Sequence, residues 1–302
     1  MKARSYVGLH DLQAMLDLLS EGAAANTGTH YVHRGDLQWW LFYTDTPEEV
    51  WRSNIRLWHE GERLVGWCLL SPEENACDVY TAPELRGDPR EHEMLAWAVA
   101  QFPELDHLDM HWVDEDDNAR IRWLEAHGFA RRDFHLVYFR RLLTDPLPAP
   151  QLPAGFTLRT SCGTPEDAQI RALTSGAAFE TSKPFEEYWP RAYRLMCSPV
   201  YVPEHELFLM APDGRVASYC IVWTDTLTKV GHFEPVGTHP DFQRQGLGKS
   251  LLFDALRRLQ SEGMTAADVC TNYDNPAAIR LYESVGFRIQ KRLFVYRKQR
   301  TP

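Results

Sequence analysis

The chain has 302 residues, which is too long for one ordinary hydrophobic core and enough for two domains of ~150 residues each. Hydrophobic residues make up 44% and charged residues 25%, the balance typical of a soluble globular protein. The formal net charge of -10 argues against nucleic acid as a partner, because nonspecific nucleic-acid binding needs a basic surface.

The sequence lacks the patterns of a membrane-spanning or secreted protein. No apolar run approaches the ~20 residues of a membrane span, and Asp11 and Asp17 interrupt the leucines that a signal peptide would need. The six cysteines form no Cys-x-x-Cys pair, and the histidines show no metal-ligand spacing around them. We therefore expect reduced thiols, no bound metal and a cytoplasmic location.

A proline-rich segment divides the chain near its middle. Residues 144–155 contain four prolines, which cannot continue a helix or a central strand. We predict a semi-rigid linker at 144–155, between a first domain at residues 1–143 and a second domain at residues 156–302.

The two halves carry the same signals in the same order. Pro83 and Pro240 lie at equal distances before Asp117-Asn118 and Asp274-Asn275, and each Asp-Asn pair opens a predicted helix. Each of these helices stops at a Gly-Phe dipeptide, Gly128-Phe129 or Gly286-Phe287. Three matches with nearly equal spacing indicate a duplication.

Local signals predict the elements of the second half. Thr164 caps a helix that starts at Pro165, and Asp213-Gly214 is typical of a hairpin turn. In chain order we predict a strand at 156–159, helices from 165 and at 185–196, strands at 206–210, 215–223 and 230–236, a helix at 246–260, a strand at 267–271, a helix at 276–285 and a strand within 287–297. This order predicts an α/β fold with a mixed sheet.

The strongest chemical signal follows the strand that ends near Thr238. The loop residues are Gln243, Arg244, Gln245, Gly246, Leu247, Gly248 and Lys249, and they lead directly into a predicted helix. Free backbone N–H groups and the positive dipole end at a helix start suit a phosphate or pyrophosphate. The two glycines cannot hold an anion away, and Arg244 and Lys249 add positive charge. A nucleotide-binding P-loop is excluded because its longer Gly-x-x-x-x-Gly-Lys spacing is missing.

Gln243-x-x-Gly246-x-Gly248 resembles the Gln/Arg-x-x-Gly-x-Gly/Ala signature of the GCN5-related N-acetyltransferase (GNAT) superfamily. Val236-x-x-x-Pro240 is similar to the end of the family's fourth strand, and residues 275–287 are similar to its second motif. The resemblance covers residues 156–299 and, more weakly, residues 4–143. It implies tandem acyl-CoA N-acyltransferase (GNAT) domains, in a layout that resembles the mycothiol synthase-like members.

The resemblance also implies a site for acetyl-CoA. It places the backbone of Val236, Gly237 and Thr238 against the pantetheine and acyl group, with the N–H of Val236 as the oxyanion donor. The loop from Gln243 to Lys249 would hold the pyrophosphate. Tyr282 matches the family's frequent general acid, because a phenol with a pKa of ~10 is protonated at neutral pH and can donate to a thiolate.

Glu234 is the candidate general base. It lies on the strand before Pro240, where a carboxylate with a raised pKa can accept the proton of an amine. His232 and His239 are competing candidates. Asn275 has two open roles, capping of its helix and contact with the cofactor.

The first half departs from this pattern. Pro89 and Glu91 replace the two glycines of the loop, and proline removes an N–H donor while the carboxylate would repel a pyrophosphate. Leu124 stands where the general acid would be, and Cys77 stands where the base would be. We therefore predict a catalytically silent first domain, and weak cofactor binding, shaping of the substrate cleft and stabilisation of its twin are left open as its roles.

These features together predict an N-acetyltransferase that moves an acetyl (acyl) group from acetyl-CoA to a primary amine by direct attack. Glu234 would act as general base and Tyr282 as general acid. The alternative is a non-catalytic acyl-CoA-binding or regulatory module, against which the presence of both residues argues. The acceptor is left open between a small-molecule and a peptide amine, with neither nucleic acid nor membrane as a partner. The tandem layout is compatible with a monomer.

Overall fold

The computed structural model describes residues 1–26, 28, 31–102 and 106–299, so short stretches of both predicted domains lie outside the described residues. The N-terminal half contains the strands β1 (Lys2–Ser5), β2 (Ile55–Glu60), β3 (Arg63–Ser71), β4 (Ala76–Thr81), β5 (His107–Asp114) and β6 (Phe129–Leu142). Its helices are α1 (Leu9–Ala25), α2 (Arg34–Phe42), α3 (Glu48–Asn54), α4 (Pro89–Ala100) and α5 (Asn118–Ala126).

The C-terminal half contains the strands β7 (Thr157–Thr160), β8 (Glu206–Met210), β9 (Val216–Asp225), β10 (Val230–Thr238), β11 (Ala266–Asn272) and β12 (Arg288–Gln299). Its helices are α6 (Pro165–Ala178), α7 (Phe185–Met196), α8 (Leu247–Ser261) and α9 (Pro276–Ser284). The predicted elements are all present, and the mixed α/β fold is confirmed. Within the described part of the chain, every helix is too short or too polar to cross a membrane.

The strands of the described residues join one 12-stranded sheet in the order β1-β2-β3-β4-β5-β12-β6-β11-β10-β9-β8-β7. The two halves have exchanged their last strands within this sheet. Strand β12, from the end of the chain, pairs with β5 of the first half, and β6 pairs with β11 of the second half. The exchanged strands β6 and β12 also pair with each other, antiparallel, at the centre of the sheet.

Each exchanged strand also contributes side chains to the hydrophobic core of the other half. Val137 and Phe139 of β6 are buried in the core of the second half, together with Phe233 and Phe287. Tyr296 of β12 is buried in the core of the first half. Because apolar burial contributes roughly 25 cal/mol per Å², each half gains core stabilisation from a strand that the other half supplies.

A buried ion pair also joins the halves. The guanidinium of Arg140, on β6, donates to both carboxylate oxygens of Asp268, on β11, at 2.7 Å each. The hydroxyl of Tyr138 donates to the same carboxylate at 3.0 Å. A buried carboxylate of this kind is stable only with such partners, so it favours the observed register of β6 against β11.

The predicted linker runs along helix α8 and is fixed by side chains of that helix. Ser250 donates to the carbonyl of Gln151, and Arg257 donates at 2.9 Å to the carbonyl of Leu147. The amide of Gln260 donates to the carbonyl of Leu143 at 2.8 Å. Prolines cannot donate from their own backbone, so hydrogen bonds to the carbonyl groups are the available way to anchor this segment. The exact linker bounds stay a prediction.

The exchange predicts that neither half folds alone. Residues 1–150 lack the strand that separates β5 from β6, and residues 151–302 lack the strand next to β11. We expect each segment, expressed alone, to give no cooperative thermal unfolding transition, whereas co-expression restores one transition at the temperature of the intact chain. Circular dichroism melts of the purified segments measure this. A cooperative monomeric transition from either segment alone would contradict the strand exchange.

Candidate active site

The loop between β10 and α8 has the backbone shape that an anion site requires. Arg244 and Gly246 both adopt the left-handed conformation, with φ of 60° and 79°. Gly246 stands directly before Leu247, the first residue of α8, and no side chain caps this helix. The N–H groups of the first turn therefore stay available for an anion at the positive end of the helix dipole.

The glutamines of the predicted site brace the loop. The side-chain amide of Gln243 donates to the carbonyl of Thr238 at 3.2 Å, and that of Gln245 donates to the carbonyl of Asp241 at 3.4 Å. Lys249 lies in the first turn of α8 and adds positive charge beside the loop. These side chains thus hold the loop in place and leave anion contact to backbone N–H groups and cations.

Close approach explains two of the predicted site glycines. A Cβ at residue 248 would lie 3.3 Å from the hydroxyl oxygen of Thr238, so a side chain there would enter the space beside the loop. A Cβ at residue 237 would lie 2.5 Å from the ring of Tyr219, so Gly237 is required by packing. Leu247 is buried in the core and can reach a ligand only through its backbone.

Strand β10 bends away from its parallel neighbour at the predicted base. Its ladder with β11 covers Val230–Phe233, whereas both strands continue beyond that point. Next to β9 the register shifts between Phe233 and Val236, so Glu234 and Pro235 form a bulge. Bulges re-aim side chains next to active sites, and here the bulge and the divergence of the strands open a cleft between β10 and β11.

Glu234 belongs to a cluster of three ionisable side chains. The Nε2 atom of His232 lies 3.0 Å from a carboxylate oxygen of Asp36 and 3.5 Å from one of Glu234. The side chains of Asp36 and His232 are 4% and 1% exposed, whereas Glu234 is 30% exposed. Asp36 belongs to α2 of the first half, so the cluster crosses between the halves.

The cluster shifts the pKa values of its members in different directions. Burial and the negative charge of Asp36 raise the pKa of Glu234 to about 8. Burial opposes the charged form of His232, but Asp36 and Glu234 outweigh it and raise the pKa of His232 to about 10. Burial likewise opposes ionisation of Asp36, yet His232 lowers the pKa of Asp36 overall. At neutral pH, Asp36 and His232 are therefore an ion pair and Glu234 is the group that titrates.

Helix α2 is held tightly against β9 and β10. A Cβ at residue 35 would lie 2.2 Å from the ring of Trp223, so only glycine allows this approach. The indole of Trp223 donates to the carbonyl of Glu234 at 2.8 Å, which fixes the bulge. The backbone N–H of His33 donates to Asp36 at 2.6 Å, and the ring of His33 stacks on His232. These contacts set the position of the Asp36 carboxylate.

Tyr282 is buried between aromatic rings of both halves. Its ring centroid lies 5.9 Å from that of Phe139, on β6, and 6.1 Å from that of Phe287. Burial and the nearby charges of Cys270 and Glu234 raise the pKa of Tyr282, so its phenol stays protonated.

Two other predicted residues have structural contacts. The side chain of Asn275 accepts a hydrogen bond from the N–H of Ala278 at 3.1 Å, which is a helix cap. His239 accepts from the N–H of Asp241 and so caps the short turn after β10. Of the two competing histidines, His232 is therefore the one beside Glu234.

Asp36, His232 and Glu234 have ligand atoms within 4.8 Å of one another, a geometry that also suits a metal ion. A histidine that carries both ring protons has no lone pair for a metal. The two carboxylates that surround His232 favour its protonated form over the neutral form that a metal would need.

Sequence reasoning missed Asp36. It stands three residues after His33 at the start of α2, where an acidic residue ordinarily caps a helix, and its side chain does take part in a capping box. Nothing in the spacing links it to Glu234, about 200 residues away. Only the packing of α2 across the two halves brings the carboxylates together.

The cluster predicts that His232 is protonated well above neutral pH. Long-range ¹H–¹⁵N NMR of the histidine rings should show both ring nitrogens of His232 protonated at pH 8. In Asp36→Asn, loss of the negative charge should lower the pKa of His232 towards its ordinary ~6.5. Asp17→Asn, at an exposed position of α1, is the matched control and should change nothing. A neutral His232 at pH 8 in the unaltered chain would refute this prediction.

The chain resembles known acetyltransferases over most of its length. The model of the Acetyltransferase (GNAT) family matches residues 170–287. A mycothiol acetyltransferase of Streptomyces coelicolor is 30% identical over 292 residues, which cover 95% of this chain and 91% of that protein. A mycothiol acetyltransferase of Thermobispora bispora is 29% identical over 244 residues, covering 78% and 80%.

Solved structures support the fold. A tandem GNAT protein from the clavulanic acid biosynthesis pathway matches with a TM-score of 0.69 and 18% identity, covering 100% of this chain and 99% of that one. A GCN5-related N-acetyltransferase from Sphaerobacter thermophilus matches with a TM-score of 0.63 and 19% identity, covering 100% and 96%. The predicted family resemblance is confirmed. The chain belongs to the GNAT acetyltransferase family and is an acyltransferase, a tandem member similar to the mycothiol acetyltransferases.

Proposed function

We propose that the second half transfers an acetyl group from acetyl-CoA to a small primary amine, with Glu234 as general base and Tyr282 as general acid. One observation carries the proposal. Glu234 lies at the bulge of β10, beside the cleft between β10 and β11, with a pKa raised to about 8. A base is most effective when its pKa lies near the working pH, and this carboxyl is near that range.

The loop before α8 supports acetyl-CoA as the donor. Its left-handed residues, Arg244 and Gly246, and the uncapped start of α8 present N–H donors, and Lys249 adds a cation. These groups suit the pyrophosphate of a coenzyme A molecule. The pantetheine and acyl group would then follow Val236, Gly237 and Thr238 into the cleft between β10 and β11.

The proton transfers follow from the positions of the two side chains. Glu234, once ionised, accepts a proton from the amine as its nitrogen attacks the thioester carbonyl carbon. The N–H of Val236 donates to the oxyanion as the C–N bond forms. The C–S bond then breaks, and Tyr282 donates its phenolic proton to the departing thiolate. The products are an acetamide and free CoA.

Asp36 has one function in this proposal. Its negative charge raises the pKa of Glu234, which makes Glu234 a stronger base once it is ionised. The relatives named mycothiol acetyltransferases favour a small amine as the acceptor.

Removal of either catalytic group should reduce turnover. Glu234→Gln and Tyr282→Phe should each lower kcat by ~10²–10⁴-fold, the range for loss of general acid–base catalysis, while the KM for acetyl-CoA changes little. Thiol release from acetyl-CoA with a panel of small amines measures this.

Matched control variants are available for both positions. Glu283→Gln, on the exposed side of the same helix as Tyr282, and Tyr273→Phe, at an exposed ring, should keep full activity. Unchanged turnover in both Glu234→Gln and Tyr282→Phe would show that the mechanism is wrong. Binding of acetyl-CoA without thiol release for any amine would remove the proposed acceptor class.

The pH dependence tests the influence of Asp36 on Glu234. Because Glu234 must be ionised to act as a base, kcat/KM should rise with pH through about 8. In Asp36→Asn the neighbouring negative charge is lost and the pKa of Glu234 falls, so the rise should move to lower pH. The acceptor amine also titrates in this range. Both proteins are therefore measured with the same acceptor, so that its titration contributes equally to the two pH profiles. A shift to higher pH, or none, would contradict the role of Asp36.

A further inference from the structure

The first half keeps part of the shape of the anion loop. Gly87 lies four residues after Pro83, as Arg244 lies four residues after Pro240, and both are left-handed, with φ of 74° and 60°. Thr81 and Thr238 stand two residues before these prolines. Helix α4 follows the first loop as α8 follows the second. The two loops therefore share the left-handed residue after the proline, whereas Pro89 stands at the place of the left-handed Gly246 and the side chain of Asp88 caps α4.

In the first half a carboxylate of the protein itself lies at this loop. Glu91, in the first turn of α4, accepts a hydrogen bond from the N–H of Gly87 at 2.6 Å. It also accepts from the hydroxyl of Thr81 at 3.1 Å and from Arg120 at 2.8 Å. Burial opposes ionisation of Glu91, but Arg120 and the Gly87 N–H lower its pKa overall. The side chain thus makes the contacts expected of a bound anion.

The cation beside Glu91 is also buried. The side chains of Arg120 and Glu91 are each 1% exposed. The Nε and Nη1 atoms of Arg120 are buried without a hydrogen-bond partner in the described part of the chain. Such spare donors would be satisfied by the several oxygens of a phosphate better than by one carboxylate. Arg86, at the other side of the loop, is paired with Asp117.

The second half has neither residue. Gly248 stands at the place of Glu91, eight residues after the proline, and Ala277 stands at the place of Arg120. A Cβ at residue 248 would point at the hydroxyl of Thr238, 3.3 Å away, as the side chain of Glu91 reaches Thr81. Residue 248 therefore has no side chain to take the place of Glu91, and Thr238 and Leu281 lie 3.3 and 3.4 Å from where its Cβ would be.

We propose that Glu91 is a built-in replacement for a phosphate group, which closes the first half to coenzyme A and leaves one coenzyme site per chain. This rests on the proposed function only for the identity of the ligand in the second half. An open groove of about 740 Å³ remains beside the first loop, lined by residues that include Pro89, His92, Ala119 and Trp123. Removal of the carboxylate should therefore free the Gly87 N–H, the Thr81 hydroxyl and Arg120 to bind an anion next to a groove of ligand size.

The experiment is a reciprocal exchange, measured by calorimetric titration of the full chain with CoA. The unaltered chain should bind one equivalent. Glu91→Gly should bind a second equivalent, and inorganic pyrophosphate should raise its melting temperature more than that of the unaltered chain. Gly248→Glu places the carboxylate in the second half and should weaken CoA binding there by roughly 100-fold or more, the loss expected for two or three charge-assisted hydrogen bonds. Gly248→Gln, of equal size and neutral, is the control and should weaken it less.

The possible outcomes separate the two proposals. Two equivalents bound by the unaltered chain, or one equivalent bound by a folded Glu91→Gly variant, would overturn the role of Glu91. No CoA bound by the unaltered chain would refute the proposed function. If Glu91→Gly does not fold, Gly248→Glu decides: a loss of binding much larger than in Gly248→Gln supports the carboxylate as a phosphate replacement, and equal losses in both variants reject it.

Discussion

Because β6 and β12 lie side by side at the centre of one sheet, each half of the protein depends on a strand of the other. The backbone ladders on both sides of these strands fix the halves in one relative position, and the Arg140–Asp268 ion pair favours the register. That fixed position lets α2 of the first half pack against β9 and β10. Asp36 of the first half therefore lies beside His232, which in turn contacts Glu234, the base in our proposed mechanism.

The charge cluster is the chemical consequence of this packing. In an isolated domain, the pKa of a carboxylate on this strand would depend mainly on how deeply that carboxylate is buried. Here Asp36 arrives from the other half, forms an ion pair with His232 and leaves Glu234 as the group that titrates near neutral pH. In the first half, Glu91 pairs with Arg120 and accepts a hydrogen bond from the corresponding loop. The two halves thus share one charge cluster, and we propose that only the loop of the second half is open to coenzyme A.

Local sequence signals predicted the second half well, because its helices and strands begin and end at strong caps, prolines and glycines. Thr164, for example, caps α6 as expected, and the bounds of α7 and β8 agree with the prediction. The glycine loop was recognisable because few residue types other than glycine readily adopt the left-handed conformation at a helix start. The strand exchange and the contact of Asp36 with the cluster could not be predicted, because pairing between elements that are distant in sequence leaves no local pattern. Glu91 was expected to repel a phosphate, and the sequence did not show that its side chain accepts hydrogen bonds from Gly87, Thr81 and Arg120.

The central claim is that the second half holds one acyl-CoA, with its sulfur between β10 and β11 and near Tyr282 and Glu234. A crystal structure of the full chain grown with CoA tests this most directly. The account predicts one CoA per chain, with the pyrophosphate on the N–H groups at Gly246–Lys249 and the sulfur within hydrogen-bond reach of the Tyr282 hydroxyl. A CoA bound at Gly87, or a sulfur far from Tyr282, would contradict it.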